Sequence, residues 1–529
     1  MSRNQMKVMM KGAFVLTIAS FIAKLLSAVY RVPFQNLVGD EGFYVYQQVY
    51  PIYGIAMTLA LSGLPQFISK IVVSYKDSEE RQTVLHQLYA QVLRWSLLLW
   101  ALIFFGSGWM ALLMGDERLH TLIQVVSFAF LLVPPLSFYR GYFQGQLLMV
   151  PSAVSQVCEQ FVRVGIILIA AMCYRWFELN IYHVGTLAMA GAFVGGLVAW
   201  WLLVRYDFKI FGVSKRFTRK KPKSQLLPQL RRRLLVEGGL LSIYSGLLIG
   251  FQLLDSFFVI HALEISGVAT HAARVAKGVY DRGQPLVQLG LVVATAFSAT
   301  FLPVLTEARV GNKKDLFLTT AKIYLRVTVS LSAAAACGLA FLIPWLNITL
   351  FKDNAGRGTL MLFVLAIALT ATIQSYQNIA QSKNHFRRSL KAAGWGLLAK
   401  LVTTSILTMS FQTRGTSLST LLGLLVILFY FIYHEEKAVN QFWIERQFIF
   451  KLVGCLLGMV IGMALIFAVV GFFVGPITHR SGTLCMSLFG VAIGAGVFVS
   501  LAVRCRLLTV REWLMLPFGK KILRFIGGK

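Results

Sequence analysis

Charge is what this chain has least of. Only 14% of its 529 residues are Asp, Glu, Lys or Arg, against about a quarter in an ordinary soluble domain. That shortfall excludes a soluble globular protein of this length. Acids are scarcer still, 21 against 51 Lys and Arg, for a net charge of +30. A nucleic-acid partner would need a hydrophilic domain to present those cations, and no stretch is long enough to be one; they concentrate in short connections between apolar runs. The six cysteines (Cys158, Cys173, Cys337, Cys455, Cys485 and Cys505) lie in or beside apolar runs with no CxxC spacing. This excludes a disulfide framework and argues against structural zinc. The eight histidines are scattered, and no P-loop or other nucleotide motif occurs, so no metal, cofactor or nucleotide is expected. A cleaved signal peptide is not expected either. The first apolar run, after Arg3, Lys7 and Lys11, is too long, contains Lys24 and lacks a small-residue cleavage site.

Long apolar runs are abundant, since 57% of the residues are hydrophobic. With about 20 residues needed per crossing, an all-α polytopic membrane protein of about fourteen helices is expected. The spans fall near 12–36, 43–73, 88–114, 119–148, 152–174 and 181–204, then 234–260, 285–306, 317–342, 358–382, 388–411 and 416–434, and finally 448–475 and 482–503. With both termini cytoplasmic, the basic connections Lys209–Arg233, Arg309–Lys314 and Lys383–Lys391 and the tail from Arg504 share one side, as the positive-inside rule requires. The opposite side receives Asp40-Glu41, Asp116-Glu117-Arg118, Arg175 to Glu178, Lys352-Asp353 and Arg414. Arg274, Lys277 and Arg282, in the outer stretch 261–284, break that pattern.

The organisation expected is an N-lobe at 1–208, a basic cytoplasmic linker at 209–233, a C-lobe at 234–440, and two further helices with a basic tail at 441–529. The lobes are repeats: Tyr139, Gln144 and Arg163 meet Tyr376, Gln381 and Lys400 at one constant offset, and Pro51 and Pro285 fall at nearly the same one. Two six-helix lobes in pseudo-twofold arrangement around a central cavity follow from that.

Charge inside a spanning helix costs roughly 3 kcal/mol per residue on insertion scales and needs a reason to be there. Lys24 and Arg31 are seven residues apart and so share a helix face. Asp255, in the first span of the second lobe, and Lys24 are both far from a span end. Glu159 and Arg163 are spaced i,i+4 and have the spacing to pair with each other. Lys70, Arg140 and Arg326, near span ends, are as well explained by snorkelling. Pro51, Gly63 and Pro65 in the second span and Pro285 and Pro303 in the eighth are placed as hinges. Gly454, Gly458 and Gly462 form a small-residue packing face.

The stretch KLLSAVYRVPFQNLVGDEGFYVYQQVYPIYGIAMTLALSGLPQFISK, with RGYFQGQLLMVPSAVSQVCEQFVRV and KGVYDRGQPLVQLGLVVATAFSATFLPVL, resembles the polysaccharide-transport branch of the multidrug/oligosaccharidyl-lipid/polysaccharide exporter superfamily. Within it the chain is most similar to the MurJ-type lipid II flippases (the YtgP/SpoVB group). The resemblance implies a V-shaped pair of lobes, a cationic cavity and a groove for a polyprenyl tail beside the last two helices. It places Lys24, Arg31, Arg282 and Lys277 as substrate cations. A cavity arginine of the second helix, carried by some members, has no counterpart here. Asp255, Asp281, Glu159, Arg163 and Lys400 are left as ion-coupling or cavity charges, with the membrane potential or a H+/Na+ gradient as driving force. The expected activity is transport of the undecaprenyl-diphosphate-linked peptidoglycan precursor, lipid II, from the inner to the outer leaflet of a bacterial cytoplasmic membrane by alternating access, by a monomer among membrane lipids and without catalysis. Another lipid-linked polysaccharide as cargo, a cation-coupled drug exporter, and a membrane-embedded glycosyl- or acyltransferase are the alternatives. The last would need a clustered acid, for which Asp77-Glu79-Glu80 is the best candidate.

Overall fold

The computed structural model describes residues 3–75, 77–212, 227–239, 242, 246–383, 385–475, 479–516 and 519. Among them every regular element is helical. Eleven helical runs are long and apolar enough to cross a membrane. Two of them, Val15–Ser74 with 60 residues and Phe386–His434 with 49, would extend ~90 and ~74 Å as straight helices, at least twice the ~30 Å hydrocarbon thickness. Each has one residue outside helical geometry, Gly39 (φ 73°) and Gln412 (φ 50°). The expected acidic turn at 39–42 is therefore a single-residue break, because glycine adopts positive φ without a steric cost.

The chain forms two compact units, Met1–Asp281 with Thr404–Gln412, and Arg282–Thr403 with Thr413–Lys529. In the first, α1 (Arg3–Val29) leads into α2 (Arg31–Thr58), a π-turn (Leu59–Gly63) and α3 (Leu64–Ser74). Then come α4 (Ser78–Phe105), α5 (Ser107–Leu113), α6 (His120–Leu131), α7 (Val133–Gly145), α8 (Met149–Phe177) and α9 (Ile181–Phe211). After α10 (Leu227–Arg233), α11 (Leu247–Ile265) and α12 (Thr270–Asp281) complete it. The acidic group considered for catalysis is a helix start: the Asp77 side chain accepts from the backbone N–H groups of Glu79 and Glu80, and those acids lie in the first turn of α4. Both features satisfy the N-terminal donors and the helix dipole. Within the span expected at 234–260, Leu234–Gly238 is a π-turn and α11 runs over Leu247–Ile265, while 240–241 and 243–245 lie outside the described residues. Most of the basic linker lies outside the described residues. The connection at 261–284 is not a loop, since α12 fills much of it.

Helix packing in this unit relies on small residues. A Cβ on Gly195 would lie 2.7 Å from the Glu159 carbonyl oxygen, and one on Gly191 3.1 Å from that of Arg163. Alpha-9 therefore sits directly on the backbone of α8 at Glu159 and Arg163. Gly141 and Gly145 of α7 admit Ile68 and Val72 of α3 in the same way.

The second unit holds α13 (Gly283–Val310), α14 (Lys314–Phe351), α15 (Arg357–Phe363), α16 (Ala366–Ser382), most of α17 (Phe386–His434), α18 (Lys437–Ile444), α19 (Arg446–Val474), α20 (Arg480–Arg504) and α21 (Val510–Leu514). Gly458 and Gly462 of α19 pack against Leu501 and Val497 of α20, whereas Gly454 faces open space; two of the three expected glycines make the contact. Glu445, at the start of α19, binds Lys322 at 2.7 Å and Arg326 at 2.9 Å, and Arg326 also reaches Glu512 at 3.0 Å. The hydrogen bond from Lys322, with both cations nearby, holds the Glu445 carboxyl below its ordinary value. Arg326 is thus a fastening point for the last helices.

Candidate functional site: a tyrosine-lined arginine pair

Lys24 and Arg31 share a helix face but not an environment. Lys24 is exposed. Arg31 is fully buried, its guanidinium 4.5 Å from the centre of the Tyr50 ring, with Tyr30 and Tyr46 also beside it. Among the described residues, none of its three side-chain nitrogens has an acceptor in good hydrogen-bonding geometry.

Arg163 of α8 lies against the same tyrosines. Its guanidinium is 4.7 Å from the Tyr53 ring centre and 5.4 Å from that of Tyr30. One terminal nitrogen donates to Gln160 Oε1 at 2.6 Å and Ser27 Oγ at 3.2 Å; among the described residues the other two nitrogens have no acceptor in good hydrogen-bonding geometry. Tyr30 and Tyr46 bond to each other through their hydroxyls at 2.9 Å. Tyr46, Tyr50 and Tyr53 follow i, i+4, i+7 on α2, which places them on one helix face. The YVYQQVYPIY segment carried that signal, which charge counting overlooked.

The expected Glu159–Arg163 pair does not form. Glu159 instead binds Arg140 of α7 at 2.6 Å, both side chains being buried. Arg140 is therefore no snorkelling cation: its remaining donors reach Ser155 Oγ at 3.2 Å and the Ala60 carbonyl at 3.3 Å. Residues four apart on a helix are neighbours, but a guanidinium from the next helix offers better geometry when both groups are dry.

Elsewhere in this unit the charges are paired. Lys277 Nζ lies 2.7 Å from both oxygens of Asp281, Tyr280 donates to Asp255 at 2.8 Å, and Arg274 lies 3.2 Å from Asp116, which also accepts from Tyr182 at 2.7 Å. In the second unit Arg282 is fully buried and grips Asp353 through two bonds of 2.6 and 2.8 Å, with Asn347 at 3.4 Å. Lys400 is fully buried and donates to Thr420 Oγ1 at 2.6 Å. Asp353 was absent from the expected site residues. Of the hinge candidates, Pro51 lies inside α2, Gly63 closes the π-turn, Pro65 is in the first turn of α3, Pro285 is in the first turn of α13, and Pro303 lies within α13.

Burying an ion costs several kcal/mol unless a counter-charge or hydrogen bonds repay it, and each unmade bond to a buried donor costs about 1–3 kcal/mol. Arg140, Lys277, Arg274 and Arg282 all have carboxylates. Arg31 and Arg163 have aromatic faces, worth about 2 kcal/mol each when desolvated, and between them five unpaired nitrogens. The arrangement is suited to receiving an anion with several acceptor oxygens.

A family model described as "Polysaccharide biosynthesis protein" matches residues 9–309. The chain is 34% identical to "Uncharacterized membrane protein YabM" of Bacillus subtilis (strain 168), over 98% of this chain and 96% of the relative. It is 24% identical to "Lipid II flippase MurJ" of the same organism, over 93% and 94%. The solved structure "Lipid II flippase MurJ, inward closed conformation" superposes with a TM-score of 0.68 at 12% identity, covering 93% of this chain and 99% of that one. The functional names among these belong to a flippase, not to an enzyme.

Proposed function

Since the chain belongs to the polysaccharide biosynthesis protein family, we propose that it is a flippase for an undecaprenyl-diphosphate-linked peptidoglycan precursor, lipid II, which it moves from the inner to the outer leaflet by alternating access. The observation behind this reading is the Arg31–Arg163 pair, two buried cations that, among the described residues, form no ion pair and have five side-chain nitrogens without an acceptor in good hydrogen-bonding geometry. A diphosphate presents two charges and many acceptor oxygens, and guanidinium–phosphate bonds are charge-assisted and geometrically specific. Lys24, exposed one turn pair earlier on the same face, would meet the anion first. Arg282, in the second unit, would bind phosphate by exchanging the Asp353 carboxylate for it. Lys277, which already has a carboxylate, would contribute less.

The reading includes fourteen crossings with both termini cytoplasmic: the eleven apolar runs, the two longest each counting twice, and α13. The driving force would be the membrane potential or a H+/Na+ gradient, each 100 mV being worth about 2.3 kcal/mol per charge moved. Another lipid-linked glycan is the second reading, favoured by the higher identity to a relative other than MurJ. Proteoliposomes test the cargo class. Fluorescent lipid II and a polyprenyl-diphosphate sugar should both cross faster than in protein-free vesicles, and a neutral polyprenol glycoside should not. Equal rates for the neutral and the diphosphate lipid would sink the proposal.

A further inference from the structure

The π-turn at Leu59–Gly63 interrupts the α2–α3 run at a point where its backbone is short of donors. In i→i+5 geometry the donor to the Ala60 carbonyl would come from residue 65, and residue 65 is proline, which has no N–H. Arg140 supplies a donor instead, from Nη1 at 3.3 Å. The same guanidinium holds Glu159 at 2.6 Å and Ser155 at 3.2 Å on α8, and the Arg140 carbonyl accepts from Ser152 at 3.2 Å. Alpha-7, which carries Arg140, packs closely on α3 through Gly141 and Gly145, so α3 and α7 move together if they move at all. Alpha-8 packs on α1 and α9. Arg140, carried by the α3–α7 block, therefore bonds at once to the turn and to α8.

We propose that Leu59–Gly63 is a joint and that the Arg140–Glu159 pair is its fastener, so that the α3–α7 block swings relative to α2 and α8 when the pair opens. Gly63 is the pivot: a Cβ there would meet Ser242 Oγ at 1.8 Å and its Cα at 2.7 Å. The joint goes beyond the transport reading and stands whatever the cargo is. It also assigns Glu159 a positioning role through Arg140 instead of ion coupling.

Hydrogen exchange of the whole protein in lipid nanodiscs tests this, with peptides covering 57–68 compared with peptides from α19. Arg140→Lys keeps the charge on Glu159 but cannot also reach Ala60 and Ser155. It should accelerate exchange in 57–68 by about fivefold, the ratio expected from losing one hydrogen bond, and leave α19 unchanged. Glu159→Gln retains an acceptor for Arg140 and should give a smaller change in the same peptides. Wild-type exchange in 57–68 of the lysine variant would overturn the proposal, and so would an acceleration of equal size in α19.

Discussion

Arg31 and Arg163 are both fully buried among tyrosines, and neither contributes an ion pair. A charged hydrogen bond contributes about 1.5–3 kcal/mol. Arg31→Ala and Arg163→Ala should therefore each weaken binding of a polyprenyl diphosphate by about 10- to 100-fold in a nanodisc titration, with Arg163→Lys intermediate. An unchanged affinity in both alanine variants would remove the anion site. Asp353 makes a separate prediction. Burial alone would raise its carboxyl, but the bonds from Arg282 and the Ala355 N–H outweigh that and hold it below the ordinary aspartate value of 3.8. A lowered native value stabilises the fold above the unfolded value and is lost as pH falls through the native one. Its contribution should thus be constant from neutral pH down to mildly acidic conditions and fade only below 3.8. In Asp353→Asn that acid-side loss should be smaller, as a pH series of thermal melts would reveal. The intramembrane charges were legible as a set, because ionisable residues stand out in apolar runs. Their partners were not. Whether Glu159 takes Arg163 or Arg140 depends on the register of α7 against α8, and spacing along one helix carries no information about that.

Helices and their approximate limits were legible from hydropathy, since burial in lipid demands closed backbone hydrogen bonding. The breaks were less so: the prolines and glycines marked the second span as irregular, but not the π-turn at 59–63. Alpha-12 was missed because its polar residues, Arg274, Lys277 and Asp281, lower hydropathy although Lys277 and Asp281 are paired and buried. Close contacts between elements make a direct test. A Cβ on Gly278 of α12 would lie 2.2 Å from the Asp40 carbonyl oxygen of α2, and backbone cannot yield as a side chain can. Gly278→Ala should destabilise the protein by about 1–3 kcal/mol, visible as a lower melting temperature. Gly454→Ala, with open space at its Cβ position, should change stability by less than about 0.5 kcal/mol.

Across the whole molecule, the scarcity of acids decides where the positive charge is neutralised. Most buried cations are matched within their own unit, Arg140 by Glu159 and Arg282 by Asp353, so the unmatched Arg31–Arg163 pair stands out against a paired background. That contrast, together with membership of the polysaccharide biosynthesis family, is why an anionic lipid-linked glycan is the cargo proposed. The most direct measurement is complementation in cells depleted of their own lipid II flippase, with lipid II assayed in the outer leaflet. Expression of this protein should restore outer-leaflet lipid II, and Arg31→Ala, inserted at the same level, should not. Normal membrane insertion with lipid II still confined to the inner leaflet would contradict the account.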